Sequence, residues 1–244
     1  MRIAYFVLRK QAGGAVRTMQ YEIRTNGRST TVRFVYGRPH ADGQTPVADT
    51  VMPETITETP SVEALAADCE KAARELSTLP TETKNRVLRR MADALEEAEE
   101  DILEANERDV VRGREEGLSD ALIDRLILNP ERIEKMADAL RDVASFSDPV
   151  GEMSGTTKRP SGIEVGQMRI PLGVIGMIYE ARPNVTADAA GLCFKAGNAV
   201  LLRGGSNAFH SNRAIAAALH DALKDGGVNP VAVTLIPTTD REAV

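Results

Sequence analysis

The fold is decided by residues 171–206, PLGVIGMIYEARPNVTADAAGLCFKAGNAVLLRGGS. Leu172 to Tyr179 is a nearly continuous apolar run that is too short for an ordinary helix and lacks polar alternation. Such a run is typical of a strand that is buried on both faces of a parallel sheet. Val200-Leu201-Leu202 repeats the signature about one helix later. The stretch therefore predicts a β-α-β unit with a right-handed crossover.

The segment between the two strands predicts a helix over residues 184–196. Apolar residues recur there at helical spacing. The residues expected on the inward face are Val185, Ala189, Leu192, Cys193 and Ala196. Gly197 is expected to end the helix, because glycine tolerates the left-handed conformation that a helix end needs.

Both predicted strands end in polar segments, Glu180 to Asn184 and Arg203 to Ser206. Ligands of open α/β sheets bind at the carboxyl ends of the strands. We therefore expect any binding or catalytic chemistry to lie on these two segments.

Composition excludes several classes of function. The net charge of −6 argues against nucleic-acid binding. No apolar run approaches the roughly 20 residues that a membrane helix needs. Cys69 and Cys193 form no motif, which favours a cytoplasmic protein with free thiols. The three histidines have no metal-ligand spacing, so no metal site is expected.

Residues 1–58 differ from the remainder and predict a weakly ordered basic extension and linker. Residues 1–51 hold eight arginines and lysines against three acids. The segments 19–24 and 30–36 are expected to pair as a hairpin across Asn26-Gly27, although an isolated hairpin is only marginally stable. Two other interpretations stay open: a basic arm that touches an acidic partner, and upstream translated sequence with Met52 as the true start.

Residues 59–244 are expected to form one domain that begins with helices. Helix starts are signalled by a capping residue before an apolar stripe. The predicted helices run from a Ser61 cap to about Ser77, from a Thr81 cap to about Arg112, from Ser119, and from the Asn129-Pro130 pair. The acidic residues near position 98 are expected to lie on a solvated helix face.

The rest of the domain predicts a partial sheet. Lys158 to Arg169 is expected to be extended, as a hairpin at the sheet edge or projecting from the body. A helix over residues 207–224 and a buried strand over residues 231–236 follow the β-α-β unit. Three strands with two crossovers are about half of a doubly wound domain. We therefore expect an α/β fold in which N-terminal helices pack on a partial Rossmann-like parallel sheet that is incomplete at its C-terminus.

The motifs PLGVIGMIYEARPNVT and KAGNAVLLRGG resemble those of the γ-glutamyl phosphate reductases, also called glutamate-5-semialdehyde dehydrogenases, of the aldehyde dehydrogenase superfamily. The resemblance covers about residues 61–244. It implies an aldehyde dehydrogenase-like fold in which residues 59–244 are the N-terminal, NADP-binding domain, truncated here before the catalytic domain. It also implies a homo-oligomer in the full-length form and glutamate 5-kinase as a candidate partner.

The resemblance implies a reaction of proline biosynthesis. A cysteine thiolate attacks L-glutamate 5-phosphate and expels phosphate, and NADPH reduces the thioester to L-glutamate 5-semialdehyde. The nucleophilic cysteine of the family lies beyond the region covered here, and both Cys193 and Cys69 are expected to be structural. This chain alone is thus expected to be inactive. The alternative is a non-catalytic nucleotide-binding or assembly module.

The resemblance also assigns candidate site residues. Arg203 stands where the superfamily usually has a lysine that contacts the adenosine ribose, and a guanidinium there suits the 2′-phosphate of NADP. Gly204, Gly205 and Ser206 would let backbone amides approach an anion at the start of the next helix. An ordinary strand-to-helix turn is the alternative.

Glu180, Arg182 and Asn184 are the candidate substrate-side residues. Asn184 lies near the position, two residues away in the local alignment, of the superfamily asparagine that helps to form the oxyanion hole. Arg182 is expected to meet a substrate carboxylate or phosphate. The alternatives are a surface ion pair between Arg182 and Glu180, and a helix cap at Asn184.

Overall fold

The computed structural model describes residues 61–158, 160–161 and 164–238, together with the backbone of two strands at 17–25 and 28–36. The strands are β1 (Arg17–Thr25), β2 (Arg28–Tyr36), β3 (Met153–Lys158), β4 (Glu164–Met168), β5 (Val174–Ile178), β6 (Ala199–Arg203) and β7 (Val233–Leu235). The helices are α1 (Val62–Leu76), α2 (Thr81–Glu97), α3 (Glu99–Glu115), α4 (Asp120–Leu126), α5 (Pro130–Ser145), α6 (Asn184–Lys195) and α7 (Phe209–Asp225).

The β5-α6-β6-α7-β7 unit confirms the predicted α/β fold. Its three strands lie in the order β5-β6-β7 and are parallel throughout. Ile178 pairs with Arg203, and Val200 pairs with Val233. Helices α6 and α7 pack on this sheet, and α2, α3 and α5 pack on them in turn.

Strand β5 is less buried than predicted. Its residues are half-buried or exposed, whereas Ala199 to Leu202 of β6 are fully buried. The expectation that Leu172 to Tyr179 is buried on both faces is therefore wrong for most of the run. The physical reason is cover by helices, because α1 packs less extensively on the edge strand β5 than on the central strand β6, which α6 also covers.

Helix α6 has the predicted bounds but a different buried face. Ala189 and Cys193 are buried as expected, whereas the side chain of Leu192 is 55% exposed. The inward face is set instead by small residues that let α5 approach closely. A Cβ atom added at Gly191 would lie 2.4 Å from Cδ2 of Leu140, on α5.

The end of α6 follows the prediction. Gly197 has a φ of 73°, in the left-handed region where glycine is favoured. The Asn198 amide donates to the Cys193 carbonyl at 2.9 Å, and the Gly197 amide donates to that of Phe194 at 2.9 Å. These two bonds satisfy carbonyls at the helix end and turn the chain into β6.

The helix predicted from a Thr81 cap to about Arg112 is two helices. The break is at Ala98, whose φ and ψ of −94° and 15° are not helical. Thr81 is the first residue of α2 and not its cap, since the capping position is held by Pro80. The Thr81 hydroxyl instead donates to Asp148 Oδ2 at 2.8 Å.

Two other predicted helix starts are confirmed by their geometry. The Ser61 hydroxyl accepts a hydrogen bond from the Ala64 amide at 3.2 Å, at the start of α1. Asn129 Oδ1 accepts one from the Arg132 amide at 2.8 Å, and Pro130 follows as the first residue of α5. Both caps satisfy an amide that has no partner within the helix.

Strands β3 and β4 form an antiparallel hairpin that is exposed along its whole length. It pairs with no strand of the described three-stranded sheet. The predicted extended segment contains β4, whereas β3 begins earlier than expected, at Met153. Its sequence, MSGTTK, has no apolar alternation that would identify it.

Strands β1 and β2 also form an antiparallel pair, with Thr25 opposite Arg28. This confirms the predicted hairpin. Its turn at Asn26-Gly27, the proposed start at Met52 and the linker at residues 52–60 lie outside the described residues.

Candidate functional site

The two polar segments that follow β5 and β6 lie against each other. A Cβ atom added at Gly205 would lie 3.3 Å from the Cα atom of Glu180. Just before this contact, the Tyr179 amide donates to the Arg203 carbonyl at 3.1 Å. The segments that follow the carboxyl ends of β5 and β6 are therefore in contact. The absence of a side chain at Gly205 permits this contact.

A buried series of hydrogen-bonded side chains supports the carboxyl ends of β5 and β6. The Tyr179 hydroxyl lies 2.7 Å from the Thr186 hydroxyl, which donates to Asn212 Oδ1 at 3.0 Å. Burial raises the pKa of Tyr179 to about 12, with the hydrogen bond to Thr186 acting in the opposite direction. A Cβ atom at Gly204 would lie 2.1 Å from Asn212 Nδ2. Gly204 is thus required because the Asn212 side chain occupies the space of its missing Cβ.

The start of α7 is occupied by a carboxylate from α3. Asp109 is fully buried, and its Oδ2 accepts from the amide and the hydroxyl of Ser211, each at 2.8 Å. Its Oδ1 accepts from the His210 amide at 3.3 Å. A carboxylate is stabilised by the positive end of the helix dipole. The expected anion site at this helix start is therefore filled by the protein itself at residues 210 and 211.

Arg112 joins this carboxylate to the predicted cofactor segment. Its Nη2 atom donates to Asp109 Oδ1 at 2.9 Å and to the Ser206 carbonyl at 2.5 Å. Its Nε atom lies 3.9 Å from Glu116 Oε1. Ser206 opens a short 3-10 turn, Ser206–Ala208, that leads into α7. The position of Ser206 is thus set by a side chain of α3.

A cavity of about 240 Å³ opens beside Ser206. Its described lining residues are Arg112, Ser206, Phe209, Pro237 and Thr238. It lies beyond the carboxyl ends of β6 and β7, where ligands of parallel sheets bind. A larger depression of about 480 Å³ is lined by residues of α3 alone, so it is a helix surface and we do not consider it a site.

Arg203 is the last residue of β6 and is half-buried. It lies at the same sheet edge as Ser206. Gly204 and Gly205 connect the two without side chains of their own, so the chain turns there against the Glu180 segment.

The candidate substrate-side residues lie on the turn between β5 and α6. Glu180 and Arg182 are both exposed, and no ion pair joins their side chains. Asn184 is half-buried and is the first residue of α6, so the alternative role as a helix cap is wrong. Its Nδ2 atom donates to Asp188 Oδ2 at 3.1 Å, which orients the amide. Burial raises the pKa of Asp188, with the Asn184 hydrogen bond opposing the shift.

Both cysteines have the character of structural residues. The Cys193 side chain is 6% exposed, and burial raises its pKa to about 12. Cys69 is fully buried, its thiol donates to the Val231 carbonyl at 3.5 Å, and burial raises its pKa. A nucleophilic cysteine must be a thiolate, so neither residue is suited to that role near pH 7.

Two further kinds of site were sought in the part of the chain that the structure describes. No cluster of histidine, cysteine and carboxylate side chains there could hold a metal ion. None of the helices there has the length and apolar character to cross a membrane.

Sequence reasoning did not identify Asp109, Arg112, Thr186 or Asn212. A signal was present for Asp109, because it lies two helical turns after the buried Ile102 and thus on the apolar stripe of α3. An acid on such a stripe indicates a buried partner. Nothing in the local pattern indicates the other three.

Comparisons with known proteins identify relatives for most of the chain. Residues 45–244 match the model described as the aldehyde dehydrogenase family. The chain is 81% identical over 193 residues to the γ-glutamyl phosphate reductase of Salinibacter ruber (strain DSM 13855 / M31), covering 79% of this chain and 44% of that protein.

Comparisons with solved structures identify proteins of the same fold. The crystal structure of γ-glutamyl phosphate reductase from Thermotoga maritima is 40% identical, with a TM-score of 0.73, and the match covers 75% of this chain and 44% of that one. An NAD-dependent benzaldehyde dehydrogenase from Corynebacterium glutamicum shares the fold at 20% identity and a TM-score of 0.55, over 72% of this chain and 35% of that one. The chain thus spans less than half the length of these relatives.

Proposed function

This chain belongs to the aldehyde dehydrogenase family, and we propose that it provides the dinucleotide-binding part of a γ-glutamyl phosphate reductase. The proposed reaction is the NADPH-dependent reduction of L-glutamate 5-phosphate to L-glutamate 5-semialdehyde, with release of phosphate. The similarity to reductases of that name supports the reaction. The structural observation that carries the proposal is the contact of Gly205 with Glu180 at the carboxyl ends of β5 and β6.

The residues at this edge fit part of a dinucleotide. The cavity of about 240 Å³ beside Ser206 has room for a sugar or a phosphate group, and Arg112 and Thr238 add polar groups to its wall. Arg203 is the proposed partner of the 2′-phosphate, because a guanidinium binds phosphate through two parallel hydrogen bonds. When bound, the dinucleotide would supply the hydride. Ser206 and Arg203 would hold its adenosine end against the sheet.

Glu180, Arg182 and Asn184 are proposed to serve the substrate. The exposed Arg182 is available to a carboxylate or phosphate oxygen. Asn184 has a second amide hydrogen besides the one that it donates to Asp188. That hydrogen could stabilise the negative charge that develops on the acyl oxygen during the reaction.

The thiolate that the reaction requires is not assigned to this chain. Its two cysteines are both buried, and burial raises the pKa of each. We infer that the nucleophile belongs to a segment other than the one described. A cytoplasmic setting is proposed because the two thiols are free. The exposed Met153 and Met168 of the β3–β4 hairpin suit the subunit contact expected of a homo-oligomer.

The test of the cofactor assignment is a fluorescence titration of the chain with NADPH. We expect Arg203→Ala to weaken binding by about 1–3 kcal/mol, the typical cost of losing a hydrogen bond to a charged group. Arg74→Ala is the control, since Arg74 lies on an exposed face of α1 and pairs with Glu70 of the same helix. An affinity that is the same in Arg203→Ala and in the wild type would contradict the assignment.

The alternative function is a non-catalytic nucleotide-binding or assembly module. It is distinguished by an NADP-dependent assay of this chain with glutamate semialdehyde and phosphate. We expect no turnover, because neither Cys193 nor Cys69 can act as the thiolate. Turnover that Cys193→Ser abolishes would show that the chain carries its own nucleophile.

A further inference from the structure

Arg112 has features that its structural role does not require. It is one of the residues that line the cavity at the sheet edge, and it carries the only charge among the described ones. Its side chain is 34% exposed, although the carboxylate that it binds is fully buried. A residue needed only to neutralise Asp109 could be enclosed with it.

The guanidinium of Arg112 is held in place by some of its N–H groups, and others remain for a ligand. Its Nη2 atom makes the bonds to Asp109 and to the Ser206 carbonyl. A guanidinium has five N–H groups in a fixed plane, so the hydrogens of Nη1 remain. Nη1 makes no hydrogen bond to the described residues. Because the side chain is already ordered, little rotamer freedom would be lost when a ligand binds.

The positive charge of Arg112 is also only partly neutralised by Asp109. Asp109 accepts hydrogen bonds from the His210 and Ser211 amides as well, at the positive end of the α7 dipole. Part of its negative charge is therefore balanced by the helix. Part of the positive charge of Arg112 is then left for an anion in the cavity.

Those same contacts occupy two of the backbone donors that a helix start offers to an anion. The amides of residues 210 and 211 are taken by Asp109, so Arg112 is the charged donor that lines the cavity and is left for a phosphate. We propose that Arg112 is a specificity-determining residue that contacts the 2′-phosphate of NADPH and sets the preference for NADPH over NADH. This inference rests on the proposed function, and it adds a second arginine to Arg203.

The test compares NADPH and NADH on the same variants by fluorescence titration of the full chain. Arg112→Gln removes the charge and keeps a polar, although shorter, side chain. We expect its dissociation constant for NADPH to rise about tenfold, which corresponds to 1.4 kcal/mol. The constant for NADH is expected to change by less than about twofold, because NADH has no 2′-phosphate for a guanidinium to bind.

The controls separate the possible roles. Arg108→Gln, one turn earlier on α3, should leave both affinities unchanged, since Arg108 pairs with Glu104 and does not line this cavity. Equal weakening of NADPH and NADH in Arg112→Gln would overturn the inference and show that Arg112 only holds Ser206. Unchanged affinities would overturn it as well.

A second variant keeps the test decisive if Arg112→Gln does not fold. Arg112→Lys keeps the positive charge beside Asp109 but lacks the planar fork, so the ratio of NADPH to NADH affinity should still fall. An unchanged ratio would overturn the inference. Failure of the wild-type chain to bind either dinucleotide would instead refute the proposed function, and this inference would fall with it.

Discussion

Two buried carboxylates lie at opposite ends of β6, and their partners differ in kind. At the amino end, Asp148 Oδ2 lies 2.6 Å from Lys84 Nζ, and the two side chains are only 10% and 2% exposed. Lys84 also donates to the carbonyl of Lys195, the last residue of α6 before the turn into β6. At the carboxyl end, Asp109 pairs with the half-exposed Arg112, which reaches the cavity.

The two ion pairs are expected to serve different purposes: the one at the amino end stabilises the fold, and the one at the carboxyl end contributes to ligand binding. The amino-end network is satisfied by protein groups, because the Thr81 hydroxyl and the Val150 amide also donate hydrogen bonds to Asp148. The carboxyl-end network is open on one side, where Arg112 faces the cavity. We therefore expect substitutions at the amino end to change the free energy of unfolding, and substitutions at the carboxyl end to change mainly the affinity for nucleotide.

The largest effect is expected from Lys84→Met. It leaves the buried carboxylate of Asp148 without its cation, and removal of one partner of a buried ion pair typically costs about 3–5 kcal/mol. Denaturant unfolding measures the change. Lys71→Met, which breaks the exposed pair with Asp68, is the control and should cost less than about 1 kcal/mol. Equal losses in the two variants would refute the description of the amino end as a buried network.

Asp148→Asn tests the same end through pH. Burial by itself raises the pKa of Asp148, but the hydrogen bonds from Lys84, the Val150 amide and the Thr81 hydroxyl outweigh it, so the pKa lies below its ordinary value. The resulting stability is present above the unfolded-state pKa of about 3.9 and is lost as the pH falls through the lower folded-state value.

We expect Asp148→Asn to be less stable than the wild type by about 3 kcal/mol at pH 7, because the Lys84 ammonium is left buried without an anion. The difference should begin to narrow below about pH 3.9, where Asp148 becomes protonated in the unfolded chain, and should narrow further as the pH falls through the lower folded-state pKa. Urea unfolding at pH 7 and pH 3 measures it. A difference that is independent of pH would show that the Asp148 charge does not stabilise the fold.

A smaller loss of stability is expected from Asp109→Ala at the carboxyl end. The variant removes the cap of α7, and loss of a capping side chain costs about 1–2 kcal/mol. It also removes the hydrogen bond that orders the Arg112 side chain, so NADPH affinity should fall in the same variant. Unfolding and fluorescence titration measure the two effects. A loss of stability with full affinity would mean that the carboxyl end is as purely structural as the amino end.

The smallest effect is expected from Glu116→Gln. Glu116 Oε1 lies 3.9 Å from Arg112 Nε and is half exposed, so the stability should change by less than about 0.5 kcal/mol. Removal of a neighbouring anion should slightly raise the affinity of Arg112 for phosphate, by about twofold or less. Weaker NADPH binding in this variant would contradict the proposed role of Arg112.

The fold could be predicted from the sequence where burial is complete on both sides of an element. Val200 to Leu202 and the stripe of α7 carry apolar residues at strand and helix spacing, and the structure buries them. The prediction failed where the packing of a neighbouring helix differed from the packing that was expected. Leu192 points outward because α5 packs on the glycine beside it, and β5 is half-buried because helices cover it less than they cover β6.

The candidate site could be predicted only in its local part. Glu180 and Gly205 follow strands, so their meeting at the sheet edge follows from parallel topology. Asp109 and Arg112 come from a helix far away in the sequence, and their partners at Ser211 and Ser206 are fixed by tertiary packing. No local pattern encodes such a pairing, although the acid on the apolar stripe of α3 indicated a buried partner.

The hydrogen atom in place of a side chain at residue 204 limits how this sequence can diverge. A single methyl group there would displace the Asn212 side chain, whose Nδ2 atom lies where the methyl would be. Thr186 would then lose its acceptor, and Tyr179 would lose the ordering of its own partner. Replacement of this glycine is therefore expected to require a change at Asn212, whereas a smaller side chain at residue 212 is compatible with the glycine.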